Sequence, residues 1–244
     1  MICNGNQKRL IFSFKEFIKQ IFKDAMLFMI CLAPILYILF LRYGLPAAEK
    51  YFTGYFDLSY ILSPYYPMLD LFLAVLTPVM FSYASAMVIL GEIDDGITSY
   101  MSVTPIGKEG YLISRLVLPL ILSSLITIIA LSIFSLTEIS IIKIFILSIM
   151  SVILGYIMAI IVISIAENKV EGMAVMKLSG LLLMGIPAPF FIKGNIQYLA
   201  SFLPSLWFSK FAVESKIIYL IIYILISAVW ILVLTKKFKR KIFY

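Results

Sequence analysis

The residues best suited to chemistry in this chain stand in a row, Glu92-Ile93-Asp94-Asp95-Gly96, followed about one short helix later by Thr104-Pro105. Asp94 and Asp95 would stabilise the positive end of a helix dipole starting at Gly96. Ile97, Tyr100, Met101 and Thr104 then recur at i, i+3, i+4 and i+7, the spacing of one helical face, and Pro105 removes a backbone donor and ends the turn. A short helix with an apolar stripe and no core of its own has to dock into something else. The chemistry implied is recognition of a partner, with Glu92, Asp95, Gly96, Ile97, Tyr100, Met101, Thr104 and Pro105 as the residues that carry it.

Bond-making chemistry has little to work with. The chain has no His, which removes Ser-His and Cys-His nucleophiles, H-E-x-x-H zinc sites and His-ligated metals together. Cys3 and Cys31 give neither a disulfide framework nor a metal site, and Cys3 lacks the preceding apolar region of a lipoprotein signal. No G-x-x-x-x-G-K-[ST] phosphate loop is present, so the chain binds no nucleotide of its own by that route.

Only one kind of element can carry these residues. Hydrophobic residues make up 63% of the chain, against roughly 45–50% in soluble domains. Six runs reach the roughly 20 apolar residues of a bilayer crossing: Ala25 to Tyr43, Met68 to Leu90, Tyr111 to Leu136, Ile141 to Ala166, Met173 to Ile192 and Ile217 to Thr235. They are continuously apolar and do not alternate, which predicts helices and not a barrel. The expected fold is an all-α integral membrane protein with six transmembrane helices, one domain over residues 1–244.

Charge sets the orientation. Fourteen of the 20 Lys and Arg, among them the tail Lys236, Lys237, Lys239, Arg240 and Lys241, fall on one side, which puts both termini in the cytoplasm. The net charge of +7 concentrates beside span ends, where each cation meets anionic head groups for about 1 kcal/mol; membrane lipid, and no nucleic acid, is the partner it implies. Before the first span, Leu10, Phe14, Phe17, Ile18 and Ile21 share one helical face opposite Arg9, Ser13, Glu16, Lys19, Gln20 and Lys23, an interfacial helix over residues 8–24. The Tyr- and Phe-rich stretch from Gly44 to Pro67 reads as an outer interfacial cap.

Within the spans, Thr77-Pro78, Pro119 and the pair Pro187 and Pro189 predict kinks. The half-apolar stretch after Pro189 is too polar to span; over residues 193–216 it reads as an outer hairpin, with Trp207 and Tyr198 as interfacial anchors. No Asp, Glu, Lys or Arg lies near the middle of a span, which argues against a self-sufficient proton- or sodium-coupled carrier. The polar groups at depth are hydroxyls, among them Ser82, Ser85, Ser123, Ser124, Thr127, Ser148 and Ser151. Such residues serve helix packing, and Thr77, Ser82 and Ser85, with Pro187 and Pro189, are candidates for lining a translocation path in spans two and five.

The segment Glu92, Asp95, Gly96, Thr104, Pro105 resembles, in spacing and type, the coupling helix of the membrane subunits of type-2 ATP-binding-cassette (ABC) transporters. The likeness extends over the interfacial helix, the six spans, the broken fifth span and the outer hairpin, and Leu203-Pro204-Ser205-Leu206-Trp207 looks like the branch that includes fluoroquinolone exporters. The resemblance implies a permease of a bacterial cell (plasma) membrane, moving an amphiphilic drug, peptide or lipid by alternating access. A cytoplasmic ABC ATPase subunit would hold the ATP and Mg, this chain would bind no cofactor or metal, and a second permease subunit, identical or related, would complete the path.

Two other classes compete. An intramembrane lipid-modifying enzyme would use the D-x-x-D-G start of head-group phosphotransferases, but Glu92 stands where the first Asp should be and the later acidic residues are missing. A non-transporting assembly or immunity protein would use the acidic segment only as a capped turn between two spans.

Overall fold

The computed structural model describes residues 2–56, 60–98, 107–192 and 194–243, and every regular element among the described residues is helical. Helix α1 (Ile2–Lys23) stops at Asp24, whose carboxylate accepts the amides of Met26 at 2.9 Å and Leu27 at 3.4 Å and so starts α2 (Ala25–Leu39). A π turn over Phe40–Gly44 leads straight into α3 (Leu45–Phe56). The resulting rod, Ala25–Phe56, has 32 residues, about 48 Å at 1.5 Å per residue, and outruns a hydrocarbon core of about 30 Å. The outer cap expected from Gly44 is therefore helical as far as Phe56. Glu49 on α3 explains the extension: it accepts the Ile61 and Leu62 amides at 3.0 and 3.1 Å and the Tyr66 hydroxyl at 2.9 Å, pinning the returning chain to the helix.

Helix α4 (Tyr66–Asp94) takes Pro78 into its interior without interruption. The next span is α5 (Gly107–Leu112), a π turn at Ile113–Val117, then α6 (Leu118–Phe134). Both π turns place an Arg four residues before a Pro, Arg42 before Pro46 and Arg115 before Pro119. Proline has no N–H to give that carbonyl and its ring crowds it; widening the helix by one residue removes the conflict.

Helix α7 (Ile141–Ile165) packs along α4 and the pair forms the centre. In the span windows 83% of the α4 rod and 72% of α7 is buried, against 17% for Ala25–Phe56 and 11% for Ile217–Lys241. Gly155 permits the contact, since a Cβ there would lie 2.8 Å from the Pro78 carbonyl oxygen and from Ser82 Oγ. The outer helices show lipid-compatible faces, such as Ile35 and Leu36 on α2 and Leu225 and Leu232 on the last helix.

Among the described residues, five helices are long and apolar enough to cross a membrane, Ala25–Phe56, Ser63–Asp94, Glu109–Phe134, Ile141–Ile165 and Ile217–Lys241. The expected fifth span, Met173 to Ile192, is not one continuous helix. It consists of α8 (Lys169–Ser179), a 3-10 stretch at Gly180–Gly185, and α9 (Ala188–Phe191). The break begins well before Pro187 because α10 (Pro204–Glu214) presses against it: Ser205 donates to the Leu182 carbonyl and Ser209 to the Ile186 carbonyl at 2.8 Å, supplying partners for irregular backbone. Gly185 is required there, as a Cβ would fall 2.4 Å from Leu206 N. Trp207 accordingly is no lipid anchor. It is buried, with its indole N–H on the Ser201 carbonyl at 2.7 Å, while Tyr198 stays exposed. Helix α11 (Ile217–Phe243) closes the fold.

Candidate functional site: a buried ion pair at the root of the acidic segment

Helix α4 ends where the sequence places its acidic residues. The Asp95 amide donates to Gly91 and the Gly96 amide to Ile93, both at 2.9 Å, and Gly96 adopts φ +70°, the left-handed conformation that favours glycine at a helix end. Ile97 and Thr98 begin a new helical turn. Of the expected coupling residues, Tyr100, Met101, Thr104 and Pro105 lie outside the described residues. Asp94 and Asp95 are exposed and Ile97 half-buried. Glu92, Asp95, Ile97, Asp24 and Lys169 line a cavity of about 540 Å³ at this end of the molecule.

Glu92 is different from its neighbours. It is buried, with Arg115 Nη2 2.6 Å from Oε1 and Arg115 Nε 3.1 Å from both carboxylate oxygens. The Tyr111 hydroxyl donates to Oε2 at 2.7 Å and the Gln20 amide to Oε1 at 3.1 Å. Arg115 spends its remaining nitrogen on the Ser13 carbonyl at 2.6 Å, and its guanidinium lies 5.9 Å from the Phe17 ring centre. Ser13 and Ser114 also share a hydroxyl contact at 2.9 Å. The bidentate fork and the extra donors satisfy both charges, the condition under which a buried pair holds together. The pair fastens three elements: α1 through Ser13, Phe17 and Gln20, α4 through Glu92, and the π turn through Arg115. Helix α1 thus turns part of its expected polar face, Ser13 and Gln20, into the protein, and leaves Ile11, Phe12 and Phe22 exposed.

A second tie sits beside it. Asp94 accepts the Lys169 backbone amide at 2.8 Å, so its charge serves the N-terminus of α8, and Lys169 Nζ reaches Asp24 at 2.5 Å. The Lys169 ammonium, helped by the Leu27 and Met26 amides against the upward pull of partial burial, holds the Asp24 carboxyl below its ordinary value of 3.8. The start of α2, the end of α4 and the start of α8 are joined at one point.

The hydroxyls expected on a path are placed differently. Thr77, Ser82 and Ser85 are fully buried between α4 and its neighbours, and their oxygens, with that of Thr127, have no hydrogen-bond partner among the described residues. Pro187 and Pro189 are half-buried around α9. The structure thus brings Glu92 and Asp95 to one cavity, and leaves Thr77, Ser82 and Ser85 in helix contacts of α4 and Pro187 and Pro189 around α9.

A family model described as "Fluoroquinolones export permease protein Rv2686c-like" matches residues 17–235. The chain belongs to this family. As a member of a drug-export permease family it is a multi-pass membrane transport protein, and the matched region begins at Phe17, inside α1 beside Arg115, and takes in every residue of the Glu92 and Asp24 ties except Ser13. No curated protein and no solved structure matches the permease. Sequence reading missed Arg115, Tyr111, Gln20 and Lys169. The signal was a lone Arg set within the apolar run from Tyr111 to Leu136, a position that demands a carboxylate partner.

Proposed function

We propose that this permease is the membrane half of an ATP-driven exporter, moved by a separate cytoplasmic ABC ATPase that grips the segment beginning at Gly96. The observation that carries this reading is the buried Glu92–Arg115 pair. It fixes the root of the acidic segment to three elements, so a displacement of residues 96–105 is passed to α1, α4 and α6 instead of being lost in a flexible turn. The cavity of about 540 Å³ beside Ile97 and Asp95 gives a partner somewhere to seat.

In this reading both termini and the acidic segment face the cytoplasm of a bacterial cell, the interrupted stretch from α8 to α9 acts as the fifth of six crossings, and ATP and Mg stay on the ATPase. A second permease subunit, identical or related, completes the path. The unpartnered hydroxyls of Thr77, Ser82, Ser85 and Thr127 support a path along α4: a buried polar group without a bond costs about 1–3 kcal/mol, and a conformation that opens the α4 seam would relieve it. The substrate is an amphiphilic molecule, for which the drug named in the family description is a chemical guide.

The test is co-purification with a cassette ATPase co-expressed with the permease. Ile97→Asp puts a charge on the docking stripe, and Gly96→Pro cannot adopt φ +70°. Both are expected to lose the ATPase and ATP-dependent drug export while the permease still inserts. Full retention of the ATPase by both variants would place docking elsewhere.

A further inference from the structure

The last turns of α11 carry Lys237, Arg240 and Lys241 at i, i+3 and i+4, one helical face. Together with Ser164, Ala166 and Glu167 from the end of α7, they line a cavity of about 380 Å³. Two polar atoms are buried there without a hydrogen-bond partner among the described residues, Lys241 Nζ and Ser164 Oγ. Carboxylates that attract Lys241, those of Glu171, Asp94 and Glu167, lie nearby. Two of them are already engaged: Asp94 by the Lys169 amide at 2.8 Å and Glu171 by the Glu167 amide at 2.6 Å. The cavity therefore has three cations, one lining carboxylate and two donors in want of an acceptor.

We infer that this cavity binds a phosphate oxyanion, either the head group of an anionic phospholipid or a free phosphate compound. Phosphate offers several acceptor oxygens to a guanidinium, two ammonium groups and a hydroxyl at once, and Arg matches its geometry in bidentate fashion. Depth agrees with a head group. From Ile217 to Lys237 is about 30 Å of helix, the thickness of the hydrocarbon core, so the three cations emerge where lipid phosphates lie. That this is the inner leaflet rests on the orientation proposed above; the binding itself does not.

The experiment is native mass spectrometry of the purified permease, with any subunit that accompanies it, titrated with phosphatidylglycerol, phosphatidylcholine or inorganic phosphate. Wild type is expected to retain phosphatidylglycerol over phosphatidylcholine. Lys237→Gln/Arg240→Gln/Lys241→Gln lowers that retention about tenfold or more, while Lys236→Gln/Lys239→Gln, outside the cavity, changes it by less than about threefold. Ser164→Phe fills the cavity and keeps all three cations, so it lowers retention as well and covers the case of a triple variant that fails to fold. Displacement of the lipid by millimolar inorganic phosphate, abolished in the same variants, assigns the pocket to a free phosphate compound. Equal lipid loss in the cavity and control variants, unchanged retention in Ser164→Phe, or no preference of wild type for either anion overturns the site. Because retention is read without transport, failure here is separate from failure of ATPase coupling.

Discussion

Helix α4 carries a buried carboxylate near each end, Asp70 and Glu92, 22 residues or about 33 Å apart, and the two are satisfied in opposite ways. Asp70 accepts the Leu136 amide at 2.8 Å, the Thr137 amide at 2.9 Å and the Thr137 hydroxyl at 2.5 Å, and takes part in none of the ion pairs among the described residues. Its partners all come from one loop, so it fastens the α6–α7 connection to α4 and nothing more. Glu92 takes a cation, and through it reaches α1 and the π turn before α6. Neutral dipoles make a local staple, whereas a charged fork of fixed geometry joins several bodies and transmits their relative position.

The largest expected effect separates these two ends. Glu92→Ala leaves Arg115 charged and buried without its partner, which costs about 3–5 kcal/mol, read as loss of resistance to denaturant of the detergent-solubilised permease. Arg115→Ala does the same from the other side, and the two changes together cost much less than their sum, because they break one interaction. Arg115→Lys keeps the charge and loses the fork, and is expected to fall between wild type and Arg115→Ala.

Asp70→Asn is milder. The carboxamide still accepts one bond from the Leu136–Thr137 loop, and the lost acceptor costs about 1–3 kcal/mol in the same assay. Export per folded molecule is expected to stay near wild type. A folded Asp70→Asn permease that no longer exports would erase the contrast between the ends.

The smallest effect concerns the exposed tie. The Asp24 carboxyl lies below 3.8 in the fold, so its bond to Lys169 stabilises the protein fully above the unfolded value and is lost as pH falls through the lower folded one. Unfolding of wild type below about pH 4 should therefore include an acid-linked component that Asp24→Asn lacks, and the difference should be under about 1 kcal/mol, as for other partly exposed pairs. An identical acid profile for the two proteins would mean that this contact adds nothing.

Much of this architecture is legible in the sequence, because runs such as Ile141 to Ala166 can be nothing but bilayer-length helices. The sequence reads Gly96 as the start of a helix, whereas its φ of +70° just after the last turn of α4 serves that helix's end. Glu92 stands out as a coupling residue in the sequence, but its burial does not, because its partner lies 23 residues on in another element and nothing local announces the pairing. The bond of Asp94 to the Lys169 amide at the start of α8 is hidden from the sequence for the same reason. The prolines announce a break within Met173 to Ile192, but not its extent: Gly180, Gly185 and the facing Ser205 and Ser209 decide the backbone there, and average composition does not record them.

The claim that the Glu92–Arg115 pair bears force, beyond holding the fold, is tested most directly by removing both charges at once. In Glu92→Gln/Arg115→Met the carboxamide still accepts from the Tyr111 hydroxyl and no charge is left buried, so stability is expected to stay within about 1–2 kcal/mol of wild type. Measured in proteoliposomes with the ATPase bound, this variant should show ATP-driven drug export reduced at least about tenfold at undiminished ATPase docking. Export at the wild-type rate from the stable double variant would contradict it.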